Sequence, residues 1–206
     1  MAIQGNAVLI VIDVMKGELG AAGDDPAPGN GIPIMTGAHE RHERIRAIVA
    51  AAREAGVPPV FIQEVHKRTL LDFGRELDGA EPVHCLEGDP GTELADGLEP
   101  LRDEYLIRKR RYSAFFGTEL EIVLKAYKAE TVILVGALTD VCVHYTFADA
   151  HQHDYVCRVV TDAVGGSSPE AHAASLRAME YLQRDALITS DELLATLRSP
   201  EPAAVA

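Results

Sequence analysis

The sequence predicts an α/β protein, a three-layer sandwich with a parallel sheet of about six strands between helices. Three observations predict it. Short β-like runs alternate with helical patterns along most of the chain. Several of those runs are apolar without a break, as strands covered on both faces must be. The 206 residues are 47% hydrophobic and 25% charged, enough for one domain with a sizeable core.

Residues 7–12 (AVLIVI) form the first continuous apolar strand. The stretch from Gly17 to Gly37 holds six glycines and three prolines and reads as a long loop. Residues 38–55 place Ile45, Ile48, Val49 and Ala52 at helical spacing, and Gly56 stops the helix. Residues 57–62 (VPPVFI) form the next strand, with the prolines at its start. Residues 63–103 are loop-rich and punctuated by glycine. A short strand follows at 105–107. A helix runs over 118–127 with Thr118 as its cap. Residues 131–135 (TVILV) are a buried strand, and 140–153 a helix. Then come a strand at 155–160, a helix at 169–182 with Pro169 in its first turn, and a strand at 186–188. A last helix spans 191–197, with Ser190 as its cap. The expectation is a single domain over 1–198 and a flexible Pro/Ala-rich tail over 199–206.

Composition narrows the function. The net charge is −13, with 19 basic residues, so phosphate backbones are repelled and nucleic acid is disfavoured as a partner. Trp is absent and aromatics are 5%, which leaves few platforms for stacking bases. No apolar run approaches the roughly 20 residues of a membrane span, and no basic segment precedes the first apolar run. Three cysteines do not make a disulfide scaffold, and a cytoplasmic setting is expected.

In parallel sheets the active crevice lies beyond the C-terminal strand ends. Asp13 directly follows the first strand, where a carboxylate serves as a base or as a turn cap. Cys142 lies just past the strand at 131–135, where the next helix begins. Unpaired N–H groups and the dipole at a helix start stabilise a thiolate and accept an oxyanion. Lys109 follows the strand at 105–107 within a basic run that enters the core rather than a tail. An Asp, a Lys and a Cys at three strand ends make a coherent nucleophile site, in which Lys109 and the helix start lower the thiol's pKa. Cys85 and Cys157 read as packing.

Three segments resemble the isochorismatase-like cysteine hydrolase superfamily. They are Leu9-Ile10-Val11-Ile12-Asp13, Lys109-Arg110-Arg111-Tyr112-Ser113-Ala114-Phe115-Phe116-Gly117-Thr118, and Gly136-Ala137-Leu138-Thr139-Asp140-Val141-Cys142-Val143. The resemblance implies a Cys142–Asp13–Lys109 triad. It also implies a cis peptide at Ala137–Leu138 and an oxyanion hole from the backbone N–H groups of Leu138 and Cys142. It further implies sheet order 3-2-1-4-5-6, helices on both faces, and a homo-oligomer, either dimer or tetramer. The sequence departs from the family after Asp13. Many members read Met-Gln-x-Asp-Phe there, and this chain reads Val14-Met15-Lys16-Gly17-Glu18.

The reading favoured by Cys142 is a cysteine-dependent hydrolase. It would cleave a C–N bond of a small amide or ureido/carbamoyl substrate through a thioester. The alternatives are an isochorismatase-type vinyl-ether hydrolase, which needs no thiol, and an inactive binding protein of the same fold. Tyr112 and Phe115 are the candidates for the pocket wall, and core packing is the competing reading for Phe115. The nicotinamidase branch adds a metal site. Glu64, His66 and His84 occupy three of its positions, and Asp72 falls where a middle His would be. With the middle ligand changed, no metal and no cofactor are expected. Pocket walls are expected from the loops 17–37 and 63–97.

Overall fold

The computed structural model describes residues 3–19 and 32–198. The expected tail at 199–206 and much of the loop at 17–37 lie outside the described residues.

Six parallel strands form one sheet in the order β3-β2-β1-β4-β5-β6. They are β1 (Ala7–Ile12), β2 (Pro59–Glu64), β3 (Tyr105–Lys109), β4 (Thr131–Ala137), β5 (Val156–Gly165) and β6 (Leu187–Ile188). The helices are α1 (Ala38–Glu54), α2 (Leu120–Ala126), α3 (His144–Gln152), α4 (Pro169–Leu182) and α5 (Ser190–Arg198).

Every residue of β1 is buried, because alternate side chains enter two different cores. Val8, Ile10 and Ile12 meet Leu120, Val123 and Leu124 of α2, Phe147 of α3 and Met179 of α4. Leu9 and Val11 meet Ile45, Ile48 and Val49 of α1, and Leu193 and Leu197 of α5. Each such aliphatic side chain contributes about 1.5–3 kcal/mol when fully buried. This two-sided demand explains the unbroken apolar runs.

The strand order reverses between β1 and β4, which opens a crevice beyond their C-terminal ends. Gly136 makes the approach close enough. It pairs with Ile12 and sits at φ 114°, and a Cβ there would lie 2.0 Å from the Ile12 carbonyl oxygen.

Several boundaries differ from the sequence expectation, among them the ends of β3, which runs to Lys109, and of β4, which runs to Ala137. β2 continues through Gln63 and Glu64, which pair with Arg108 and Lys109 of β3. Polar residues end the apolar pattern there but not the hydrogen-bonded ladder. β5 runs on to Gly165, past a register shift opposite Leu134 and Gly136 that lets the ladder resume after Asp162. The segment expected as an α-helix from residue 140 opens with a π-turn, Thr139–Val143, and α3 begins only at His144. Finally, Thr189 caps α5 in place of Ser190. Its hydroxyl accepts from the Glu192 N–H, and Glu192 Oε2 accepts from the Thr189 N–H, a capping box. Ser190 instead donates to Asp162 Oδ2 at 2.5 Å. At the other expected cap, Thr118 accepts from the N–H of Leu120, the first residue of α2, and at the start of α4 the Ser168 hydroxyl accepts from the Ala171 N–H.

Candidate active site

Four strand ends deliver one charged cluster. Lys109 closes β3 and is fully buried. Its Nζ lies 2.8 Å from Asp13 Oδ2, 2.6 Å from Glu64 Oε2 and 3.2 Å from Cys142 Sγ. Asp13, at φ 51°, turns the chain away after β1, in a left-handed conformation that Asp tolerates better than most residues. Its amide donates to the Ile62 carbonyl and its Oδ1 accepts from the Glu64 N–H at 2.7 Å. The carboxylate is therefore fixed by β2 before it meets Lys109. Cys142 lies in the π-turn after β4, and its thiol donates toward Glu64 Oε2 at 3.7 Å. The peptide Ala137–Leu138 is cis. The structure thus brings Asp13, Lys109 and Cys142 together, and Leu138 and Cys142 both line the cleft.

The electrostatics differ from expectation at the thiol. Burial pushes the Cys142 thiol well above its ordinary value, and Lys109 does not offset it because Asp13 and Glu64 oppose ionisation too. The expected lowered pKa is therefore corrected: the resting group is a thiol. Burial likewise raises Asp13, against the pull of Lys109, to about 6. Burial would also raise Glu64, but Lys109 and the two histidines hold it well below the usual carboxylate range. Burial would lower Lys109, but Asp13, Cys142 and Glu64 raise it well above its ordinary value. The resting site is a protonated thiol beside a firm cation, with one carboxylate that stays ionised and one that titrates near neutrality.

Glu64 was legible only as a metal-ligand candidate, and its contact with Lys109 was missed. Its other oxygen reaches a second cluster. Oε1 lies 3.3 Å from His66 Nε2 and 2.8 Å from His84 Nε2. Glu76 Oε2 lies 3.2 Å from His66 Nε2. Burial would lower His66, but Glu64 and Glu76 outweigh it and raise His66 to about 9. Asp72 is not part of this group. It accepts from Arg110 Nε at 2.7 Å and from the Lys67 N–H, and Glu76 occupies the place expected for it. One donor atom from each of Glu64, His66, Glu76 and His84 lies within 4.8 Å of the other three. Both Glu76 oxygens are buried without a well-formed hydrogen bond. Two imidazoles and two carboxylates, one of them the under-satisfied Glu76, fit a divalent cation such as zinc or manganese. The group formed by Asp13, Glu64 and Cys142 does not, because the Lys109 ammonium already stands against all three.

A cleft open to solvent leads to Cys142. Tyr112 lines it, as expected, and stacks on Tyr145 with ring centroids 5.7 Å apart. Phe115 does not line it. The turn after Ser113 carries Phe115 to His153 and Tyr155, 5.2 and 6.3 Å away between centroids, so its role is packing. Met15, Glu18, Ile34, Glu81, Cys85 and Val141 also line the cleft. They belong mostly to loops whose sequences carry no periodicity to read. Cys85 and Cys157 are buried free thiols, both raised by burial.

Residues 7–192 match the family model of the isochorismatase domain, and the chain belongs to that family. A ureidoacrylate amidohydrolase of Methylobacterium radiotolerans is 31% identical, over 84% of this chain and 72% of that protein. A protein of Arabidopsis thaliana described as a probable inactive nicotinamidase is 30% identical, over 86% of this chain and 89% of that one. Among solved structures, an isochorismatase-like hydrolase from Alkaliphilus metalliredigens superposes with a TM-score of 0.77 at 26% identity, covering 93% of this chain and 99% of that one.

Proposed function

We propose that the chain is a cysteine-dependent amidohydrolase that cleaves a C–N bond of a small amide or ureido compound. The observation that carries this reading is the Cys142 thiol held 3.2 Å from Lys109, with the Asp13 carboxylate 2.8 Å from the same ammonium. The relatives named as amidohydrolases support the reaction class.

In this reading Asp13 takes the Cys142 proton as Sγ attacks the substrate carbonyl. Lys109 stabilises the developing thiolate. The carbonyl oxygen becomes an oxyanion facing the backbone N–H groups of Leu138 and Cys142. Asp13 returns the proton to the leaving nitrogen, the C–N bond breaks, and a thioester remains on Cys142. Water then attacks the thioester with Asp13 as base, which releases the acid and restores the thiol. Glu64 stays ionised throughout and keeps Lys109 in place while Asp13 gains and loses its proton.

Glu64, His66, Glu76 and His84 would hold a divalent cation, which would supply a Lewis acid at the edge of the cleft. Calorimetric titration of chelator-treated protein with zinc reads that binding, which His66→Ala abolishes.

The working unit we propose is one domain over 1–198, supported by a single sheet whose strands come from both halves of the chain. We also propose a homo-oligomer, supported by the exposed apolar side chains Phe116, Ile122, Tyr145 and Tyr181. Light scattering of the purified protein gives its mass directly. Among the described residues no helix is long and apolar enough to cross a membrane.

The reaction is tested by ammonia release from small amides and ureido compounds. Cys142→Ala abolishes release if the thiol is the nucleophile. Turnover that survives Cys142→Ala overturns the reading and favours chemistry without a covalent intermediate.

A further inference from the structure

The charge of the cleft selects among amides. The acidic side chains that line it are Asp13, Glu18, Glu64 and Glu81, and the only basic one among the described residues is His84. Asp13 and Glu64 are matched by Lys109 behind them. Glu18 lies 3.0 Å from His42. Glu81 is matched only at a distance, by the charge of His84: its half-buried side chain makes no hydrogen bond or ion pair with any described residue. The other walls are apolar, from Met15, Ile34, Tyr112, Leu138 and Val141.

A substrate carboxylate entering this cleft would be desolvated against Glu81, and the one basic side chain lining it, His84, already commits both ring nitrogens to the Pro82 carbonyl and Glu64 Oε1, whereas an ammonium or N–H donor would meet a free acceptor. Resting on the amidohydrolase reading, we propose that Glu81 is a specificity determinant: the enzyme takes a small amide whose non-reacting end is cationic or an uncharged N–H donor, and rejects amides bearing a carboxylate. This separates the chain from its relative named for ureidoacrylate, which is itself a carboxylate.

The test uses β-alaninamide, butyramide and succinamate, which share a propanamide core and carry a positive, a neutral and a negative end. Wild-type kcat/KM falls in that order, with at least about tenfold between the ends, as expected for a charge pair made or opposed in a partly desolvated pocket. In Glu81→Gln, whose fold is checked by circular dichroism, the ratio shrinks to within about threefold as the charge is removed. The same order is read without chemistry by calorimetric binding to Cys142→Ala. Succinamate preferred by wild type, a ratio unchanged in Glu81→Gln, or no binding of any of the three overturns the inference. Cys142-dependent turnover without a charge order leaves the amidohydrolase reading standing and removes this inference alone. Charge-ordered binding with no hydrolysis of any amide does the reverse.

Discussion

Burial of Lys109 makes its ammonium depend wholly on Asp13 and Glu64. The reverse also holds, since two carboxylates share that one cation. Lys109→Met therefore leaves two buried acids facing each other, and breaking a buried pair in this way costs about 3–5 kcal/mol. The sign of the pH dependence follows. Without the cation Asp13 has a folded-state pKa raised further above its unfolded value, while His66 and His84 still hold Glu64, so the variant gains stability from Asp13 protonation at low pH and loses it as pH rises. Thermal melts of Lys109→Met and wild type will show a large deficit at pH 8 that narrows toward about pH 4–5, where free carboxylates protonate. A deficit independent of pH would mean that lost packing, not charge, sets the cost. Asp13 gives a second expectation at this scale. It acts as base only when ionised, and its pKa is raised to about 6. The acid limb of the kcat/KM profile therefore bends near pH 6, and activity falls as pH drops below it. A limb near pH 4 would point to a carboxylate that burial does not perturb.

At the scale of elements, the strands were legible in their interiors and not at their ends. Residues 7–12 and 131–135 are apolar because both faces are covered, and that is what a sequence displays. Gln63, Glu64 and Lys109 are still in the ladder but are polar because the crevice begins there. Reading the strand as ending at Ile62 therefore hid the residue that holds Lys109. Asp13, Lys109 and Cys142 were found because strand ends in a parallel sheet point to a crevice and because their flanking segments resemble a known family. Glu76 and Glu81 were not found, since single acids in a loop without periodicity give no signal. Phe115 kept two readings open, pocket wall or packing, because a turn, not a helix or a strand, sets its direction, and it packs on His153 and Tyr155. Gly136 is the element-scale residue most open to test. Its Cβ would collide with the Ile12 backbone, and φ 114° is closed to other residues. Gly136→Ala separates β4 from β1 at the point where Asp13 and Cys142 converge. It should lower stability by more than about 2 kcal/mol, through strain that no side-chain rotation relieves. Urea unfolding measures it, and a change below 0.5 kcal/mol, the ~0.5 kcal/mol scatter of surface substitutions, would contradict the close approach.

At the scale of the molecule, residues 13, 64, 109 and 142 meet only because the order 3-2-1-4-5-6 gathers four strand ends on one edge. The whole sheet must form before any pair of them exists, so the site is a property of the complete fold. The same molecule carries a net charge of −13, and its cleft adds Glu81. A field of that sign concentrates cations and depletes anions near the surface, and salt screens it over about 10 Å at 0.1 M. The KM of β-alaninamide should thus rise severalfold between about 10 mM and 500 mM NaCl, while that of succinamate falls and that of butyramide stays level. The neutral amide is the control that gives the experiment its meaning. If butyramide shifts as much as the charged pair, salt is acting on the protein's structure. If only the charged pair shifts, and in opposite directions, the field of the whole chain and the carboxylate in the cleft act on the substrate together. Glu81→Gln then divides the two. The long-range part survives the substitution, because the net charge moves by a single unit out of thirteen. The discrimination that persists at high salt does not survive it, because a half-buried carboxylate is screened far less than the surface.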